Sequence, residues 1–209
     1  MSDVPSLANI IQYAITDALS GINTCIPAQV ISFDAAANTI SAQPVISRRY
    51  YADDQVVPLP PIHGVPVCFP RSGNAFISFP LAAGDGVLLL FSQRSIDAWY
   101  ASGTVGPADD PRQFDLTDAI AIPGAFPQTS PIAADTTALR IQNGNARLDI
   151  LPTGQFKFGK TGGDDFLDLL SQTLDALNQA RVNTMLGVMP LINTATYAAL
   201  KSKVDALKG

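Results

Sequence analysis

IHGVPVCFPRSGNAFISFPLAAGDGVLLLFSQRSIDAWY, residues 62–100, is the stretch in which apolar runs and turn signals alternate most densely. Residues 65–69, 75–79 and 86–91 are short runs rich in β-branched and aromatic side chains, bounded by Pro70, Ser72-Gly73-Asn74, Pro80 and Gly84-Asp85-Gly86. Runs of that length between such punctuation predict three strands with tight connections. Beyond Phe91 the pattern changes, and Ser95 is placed to cap a helical turn that brings Ile96 and Trp99 together at i, i+3 spacing. The stretch reads as the heart of a small β-barrel closed by one turn of helix.

Upstream, residues 5–22 predict a helix started by Pro5 and Ser6 and stopped by Ser20-Gly21, with Leu7, Ile10, Ile11, Ala14, Ile15, Ala18 and Leu19 at helical spacing. Two placements are open to its apolar stripe: on its own barrel, or on another protein. Residues 26–33 and 39–46 flank Asp34-Ala35-Ala36-Ala37-Asn38 and read as a hairpin. Arg48-Arg49-Tyr50-Tyr51 opens a mixed-charge loop, and Pro58, Pro60 and Pro61 then hold the chain extended, outside helix and sheet interior. After Tyr100 comes a loop of Gly, Pro and Asp over 103–113, then a last short strand at 118–122. About six strands in a segment of this length are most economically an OB-like barrel.

Composition narrows the function classes. The chain has 209 residues, 47% hydrophobic and 15% charged, enough to bury a sizeable core. A net charge of −5 and a sequence pI near 4.6 oppose a surface built to attract phosphate backbones, so no nucleic-acid partner is expected. Cys25 and Cys68 form no CxxC pair and His63 is the sole histidine, which leaves neither a disulfide framework nor a zinc site; two buried free thiols are expected. No apolar run approaches the ~18 residues of a transmembrane helix, and Met1-Ser2-Asp3-Val4-Pro5 lacks the basic start of a secretory signal. A soluble protein made in a reducing cytosol is the expectation.

Residues 125–136 are a Pro-rich linker, where a domain boundary is expected. Residues 138–142, 146–151 and 155–158 follow as three alternating strands separated by Asn143-Gly144-Asn145 and Pro152-Thr153-Gly154. Leu139, Ile141, Leu148, Ile150, Phe156 and Phe158 fall on one side of this meander, which is marginal in isolation, so oligomerisation is expected to supply the missing surface. A helix from Asp164 to Leu186 carries Leu167, Leu170, Leu174 and Leu177 at alternating spacings of three and four, a heptad-like seam. A second helix from Thr194 repeats the spacing with Tyr197, Leu200, Val204 and Leu207, which makes a C-terminal helical hairpin. The expected order is an N-terminal helix at 1–24, the barrel at 25–124, the linker, a β extension at 137–160 and the helical hairpin at 161–209. The fold class is mainly β with helical termini.

Residues 154–161, Gly-Gln-Phe-Lys-Phe-Gly-Lys-Thr, satisfy the phosphate-binding P-loop pattern. The Phe-Lys-Phe alternation suits a strand better than a loop whose amides wrap an anion. Gly162 and Gly163 separate Lys160-Thr161 from the helix, and Asp164 and Asp165 put negative charge where a phosphate would sit. His63, in a Pro-rich flank without a GxSxG, makes no catalytic arrangement recognisable. No enzyme activity, catalytic residue, cofactor or metal ligand is expected.

Pro60-Pro61-Ile62-His63-Gly64-Val65-Pro66-Val67, Phe69-Pro70-Arg71, Phe79-Pro80-Leu81, Gly84-Asp85, Leu88-Leu89-Leu90-Phe91 and Arg94-Ser95-Ile96-Asp97-Ala98-Trp99 together resemble the N-terminal OB-fold domain of the central spike proteins of contractile phage tails. The resemblance covers about residues 25–125. It implies a structural virion protein, a homotrimer at the centre of the tail baseplate that seats on hub or tail-tube proteins and leads the tube through the host envelope, touching the host membrane in passing. Longer members of that family continue into a triple-stranded β-helix that sometimes holds iron through histidines. This chain has only the short 138–158 extension, and its histidine is in the barrel region. The helical hairpins of three chains then form a blunt tip or dock a separate tip protein. In a three-fold assembly Leu148, Ile150, Phe156 and Phe158 would pack around the axis, and the two helical seams would face each other or copies in neighbouring chains. Alternative readings are a single-stranded nucleic-acid binder using Arg48, Arg49, Tyr50 and Tyr51 as a stacking platform, and a spike or adaptor of a phage-derived injection machine.

Overall fold

Helix α1 (Leu7–Ser20) opens with Ser6 as its cap, the Ser6 hydroxyl accepting from the Asn9 amide, and none of its side chains is buried. The computed structural model describes residues 6–49, 55–163, 165–191 and 193–207. Tyr50 and Tyr51, half of the stacking platform considered above, lie outside the described residues.

Alternation of apolar and polar side chains builds the main sheet from β1 (Cys25–Asp34) and β2 (Thr39–Pro44), joined by a turn in which the Asp34 carboxylate accepts from the amides of Ala36 and Ala37. Next, β3 (Arg48–Arg49) pairs with β4 (Val56–Val57) as a small ribbon, and β5 (Ile62–Pro66) returns to the sheet beside β2. Residues 75–79, expected as a sheet strand, form a different element: β6 (Arg71–Ser72) pairs with β7 (Ala75–Phe76). Gly73, at φ +55°, lets the chain reverse within two residues, so Phe76 lands opposite Arg71. Then β8 (Gly86–Phe91) and β9 (Ala119–Pro123) complete a five-stranded antiparallel sheet in the order β5-β2-β1-β8-β9.

This sheet curls until its outer strands meet. Val67, just past β5, bridges Ala121 of β9 in parallel, and the Cys68 amide donates to the Ala121 carbonyl at 2.8 Å. Register shifts in β1 between Val30 and Ser32 and in β2 between Ile40 and Ala42 supply curvature. The interior is filled by Val30, Ile40, Val65, Val87, Leu89 and Phe91, with Ala28, Ala42, Ala119 and Ala121 where backbones run close.

Helix α2 (Asp97–Ser102) starts one residue later than the sequence suggests, with Ile96 rather than Ser95 at its cap. The Ile96 amide donates to a carboxylate oxygen of Asp118 at 3.0 Å, which draws the chain across before the helix begins. Asp118 is wholly buried and takes a forked pair of bonds from Arg112, Nε at 2.7 Å and Nη2 at 2.9 Å; Arg112 also reaches Asp97 at 2.6 Å. Arg112 holds the Asp118 carboxyl below the usual carboxylate range, and Asp118, then Asp97, raise the guanidinium.

The chain divides into two compact units, Met1–Pro131 and Ile132–Gly209. In the second, β10 (Leu139–Asn143), β11 (Ala146–Ile150) and β12 (Phe156–Lys160) form an antiparallel meander. Helix α3 (Phe166–Gln179) is capped by Asp165, whose carboxylate accepts from the Leu167 amide at 2.8 Å; Asp164 lies outside the described residues.

The helix expected to run to Leu186 ends at Gln179. Arg181 donates from Nη1 to the carbonyls of Gln179 and Ala180, at 2.9 and 3.0 Å, and so satisfies the helix end. The following Val-Asn-Thr has weak helix propensity, and β13 (Arg181–Thr184) turns through Met185-Leu186 into β14 (Gly187–Pro190). A β-hairpin therefore separates α3 from α4 (Thr194–Leu207), in place of the break of a simple helical hairpin. The two helices still pack together: Ser171, buried, donates to Asp205 at 2.7 Å, and Lys201 pairs with both Asp205 and Asp175.

A carboxylate with a depressed folded pKa stabilises the protein above the ordinary carboxylate range, and that contribution disappears as pH falls through the folded value. Asp118→Asn should therefore lower unfolding free energy by about 2 kcal/mol at pH 7, and the gap from wild type should narrow below about pH 4, as read by urea denaturation across a pH series.

Candidate functional site

The meander carries two unlike faces. Its register sets Leu139 opposite Ile150, Ile141 opposite Leu148, Leu148 opposite Phe158 and Ile150 opposite Phe156, so these six side chains share one face, as the alternation predicts. On the other face Asp149 stands between Arg140 and Lys157. Arg140 forks onto Asp149, Nε at 2.7 Å and Nη2 at 3.0 Å, and also reaches Asp135 at 2.7 Å. The Asp149 side chain is only 5% exposed, and Arg140 holds its carboxyl below the usual range. The amides of Thr137 and Ala138 bring Asp135 down to about 2. The polar face is thus closed by its own ion pairs.

The apolar face stays largely open. Leu139, Ile141, Phe156 and Phe158 are exposed, and Leu148 and Ile150 are half-buried. Phe158 stacks on Phe166 of α3, ring centres 5.0 Å apart. On the helices Leu167 and Leu174 are buried inside the unit, Leu170, Tyr197 and Val204 are half-buried, and Leu177, Leu200 and Leu207 are exposed. Of the two arrangements open to the seams, facing each other or facing other copies, part of their surface is used within the chain.

The first unit presents an aromatic groove that the sequence reading did not single out. Phe69 and Phe79 meet edge to face at 5.1 Å, and Phe76, Trp99 and Tyr100 line the same groove with Arg71. Phe76, Phe79, Trp99 and Tyr100 remain exposed. The signal was in the repeated Phe-Pro steps at 69–70 and 79–80, where proline stops a strand just after a large ring has been presented.

The stretches weighed for chemistry fall into ordinary structure. Residues 156–160 of the P-loop pattern are strand β12, their register spent on β11. His63 is exposed and shares a hydrogen bond with the Ser41 hydroxyl at 2.9 Å. Among the described residues no group of three or more His, Cys, Asp or Glu is arranged to hold a metal ion, and no helix is long and apolar enough to cross a membrane. Arg48 and Arg49 sit on β3, Arg48 donating to Asn23 at 3.4 Å. Cys25 and Cys68, expected to be buried, are both exposed: Cys68 follows the buried Val67 and by strand alternation turns outward, and Cys25 lies at the open end of β1.

Residues 26–124 match the family described as Phage protein Gp138 N-terminal domain. The matched stretch takes in nearly all of the curled sheet, the groove and the Arg112–Asp118 pair; α1 and the second unit fall outside it. Over residues 26–124 the first unit is therefore similar to a domain of phage-protein type. No curated protein matches the chain.

Both thiols should react with an aqueous disulfide reagent in the folded protein at the rate of unhindered cysteine, two equivalents per chain before any denaturant is added. Protection of either until unfolding would contradict the outward placement.

Proposed function

We propose that the protein is a structural virion component, the homotrimeric central spike of a contractile-tail baseplate, which caps the tail tube and helps pierce the host envelope. The observation that carries this reading is the match of residues 26–124 to a phage protein domain. Strand order supports it. Taken in chain order, the first of the five main strands pairs with the second and fourth, the second with the third, the fourth with the fifth, and the fifth meets the chain just beyond the third in parallel. That order supports an OB-type Greek-key arrangement.

The meander supports the trimer. A three-stranded sheet whose apolar face is open gains stability when copies cover that face, at ~25 cal/mol per Å² of apolar area removed from water. Around a three-fold axis Leu148, Ile150, Phe156 and Phe158 of each chain meet their counterparts, with Leu177, Leu200 and Leu207 offering further contact. The barrels seat on hub or tail-tube proteins, for which the aromatic groove and the uncovered stripe of α1 are the available apolar surfaces. The second unit supplies a blunt tip or the dock of a separate tip protein.

Sedimentation velocity tests the assembly: the wild-type chain should run as a trimer, and Phe156→Asp with Phe158→Asp should shift it to monomer while circular dichroism keeps its strand signal. A wild-type monomer, or a variant that stays trimeric, would remove the shaft. Gold-labelled antibody on intact particles should decorate the baseplate end of the tail.

A further inference from the structure

We propose that the tip of the β13–β14 hairpin inserts into membrane lipid. Two-residue hairpin turns are usually made of Asn, Asp or Gly, which accept the required backbone angles and face water at no cost. Here the two turn residues are Met185 and Leu186, 106% and 86% exposed. Behind them Val182 stands opposite Met189, both about half exposed, on one face of the ribbon. Val188, 67% exposed, falls on the other face. From Val182 to Leu200 the sequence contains no charged residue.

The distribution of these side chains selects the partner. A protein surface docking on a hairpin covers one of its faces, and the opposite face is then free to be polar. Apolar side chains stand on both faces of this ribbon and at its tip, beside the uncharged Asn183 and Thr184, which suits a medium that surrounds it. Lipid is such a medium.

The geometry also limits the depth. Four residues of strand reach about 13 Å, while an interfacial element enters the headgroup and acyl boundary by about 5–10 Å. Arg181 marks the base, its guanidinium held on the last carbonyls of α3. A two-stranded ribbon cannot pair its outer backbone groups in hydrocarbon, so the tip enters and the ribbon does not span. Arg181 then lies at the level of the phosphates, and the uncharged run beyond it stays in contact with the interface. The inference deepens the spike reading, on which the encounter with a membrane rests.

The full-length protein should float with vesicles of phosphatidylethanolamine and phosphatidylglycerol, and Met185→Asp with Leu186→Asp should reduce the bound fraction at least tenfold. Val105→Asp, which changes an equally exposed apolar residue in the other unit, should leave flotation unchanged. In a Cys25→Ser, Cys68→Ser background, an environment-sensitive dye on Met185→Cys should shift to the blue when vesicles are added and be quenched by bromine on the lipid chains. The inference is overturned if the wild-type protein fails to float, or if the Asp pair floats as well as wild type. A dye already blue-shifted without vesicles, and shifting red on dilution, would overturn it by assigning the tip to a second copy. Sedimentation of the same samples separates the two proposals: a trimer that does not bind vesicles sinks only the lipid contact, and a monomer that floats sinks only the trimeric spike.

Discussion

The first unit depends on one main-chain contact, the bond from the Cys68 amide to the Ala121 carbonyl beside the Val67–Ala121 bridge. A five-stranded sheet left open would present two unpaired edges and half a core. Curling β5 round to β9 removes much of both defects, and it requires small side chains where the strands converge. Ala119 and Ala121 meet that requirement, each fully buried. The curl also gathers the chain that follows β5, with its Phe69, Phe76 and Phe79, beside Trp99 and Tyr100, so the aromatic groove is a by-product of how the sheet curls. Asp118 stands immediately before β9, and its hold on Arg112 and on the Ile96 amide ties both ends of the long connection to the sheet.

The two units differ in how much apolar surface they bury. The first buries a continuous cluster drawn from all five main strands, while α1 and the aromatic groove keep apolar side chains exposed. The second buries less. Its buried apolar side chains are Leu167 and Leu174, with Ser171 between them bonded to Asp205. Polar contacts do much of the joining there, through Lys201 with Asp175 and Asp205 on the helices and Arg140 with Asp149 in the meander. A body held together in this manner has spent few of its apolar residues on itself.

Much of this architecture was legible in the sequence, and the failures have physical causes. The β1–β2 hairpin, β8, β9 and the meander were readable because alternation and turn residues agreed, most plainly at Asn143-Gly144-Asn145. Residues 75–79 were misread as a sheet strand because a run of Ala, Phe, Ile, Ser and Phe has strand composition whether it joins a sheet or folds on its neighbour; Gly73 decided the matter. The helix was overextended past Gln179 because leucine spacing continues through Leu186, while the local preference of Val182, Asn183 and Thr184 and the capping by Arg181 stop it. The groove escaped notice because its rings come from segments far apart in the chain, which periodicity cannot bring together. Buried cysteines were expected from residue type alone, and strand phase overrode that.

The ion pairs on the back of the meander carry a further consequence. A small sheet with two apolar faces can stack on its own kind without limit, layer upon layer, as fibrils do. Asp149, paired with Arg140, which Asp135 also holds, makes one face of this sheet self-sufficient and indifferent to another apolar sheet. Stacking by apolar contact is thus confined to the opposite face, that of Leu139, Ile141, Phe156 and Phe158.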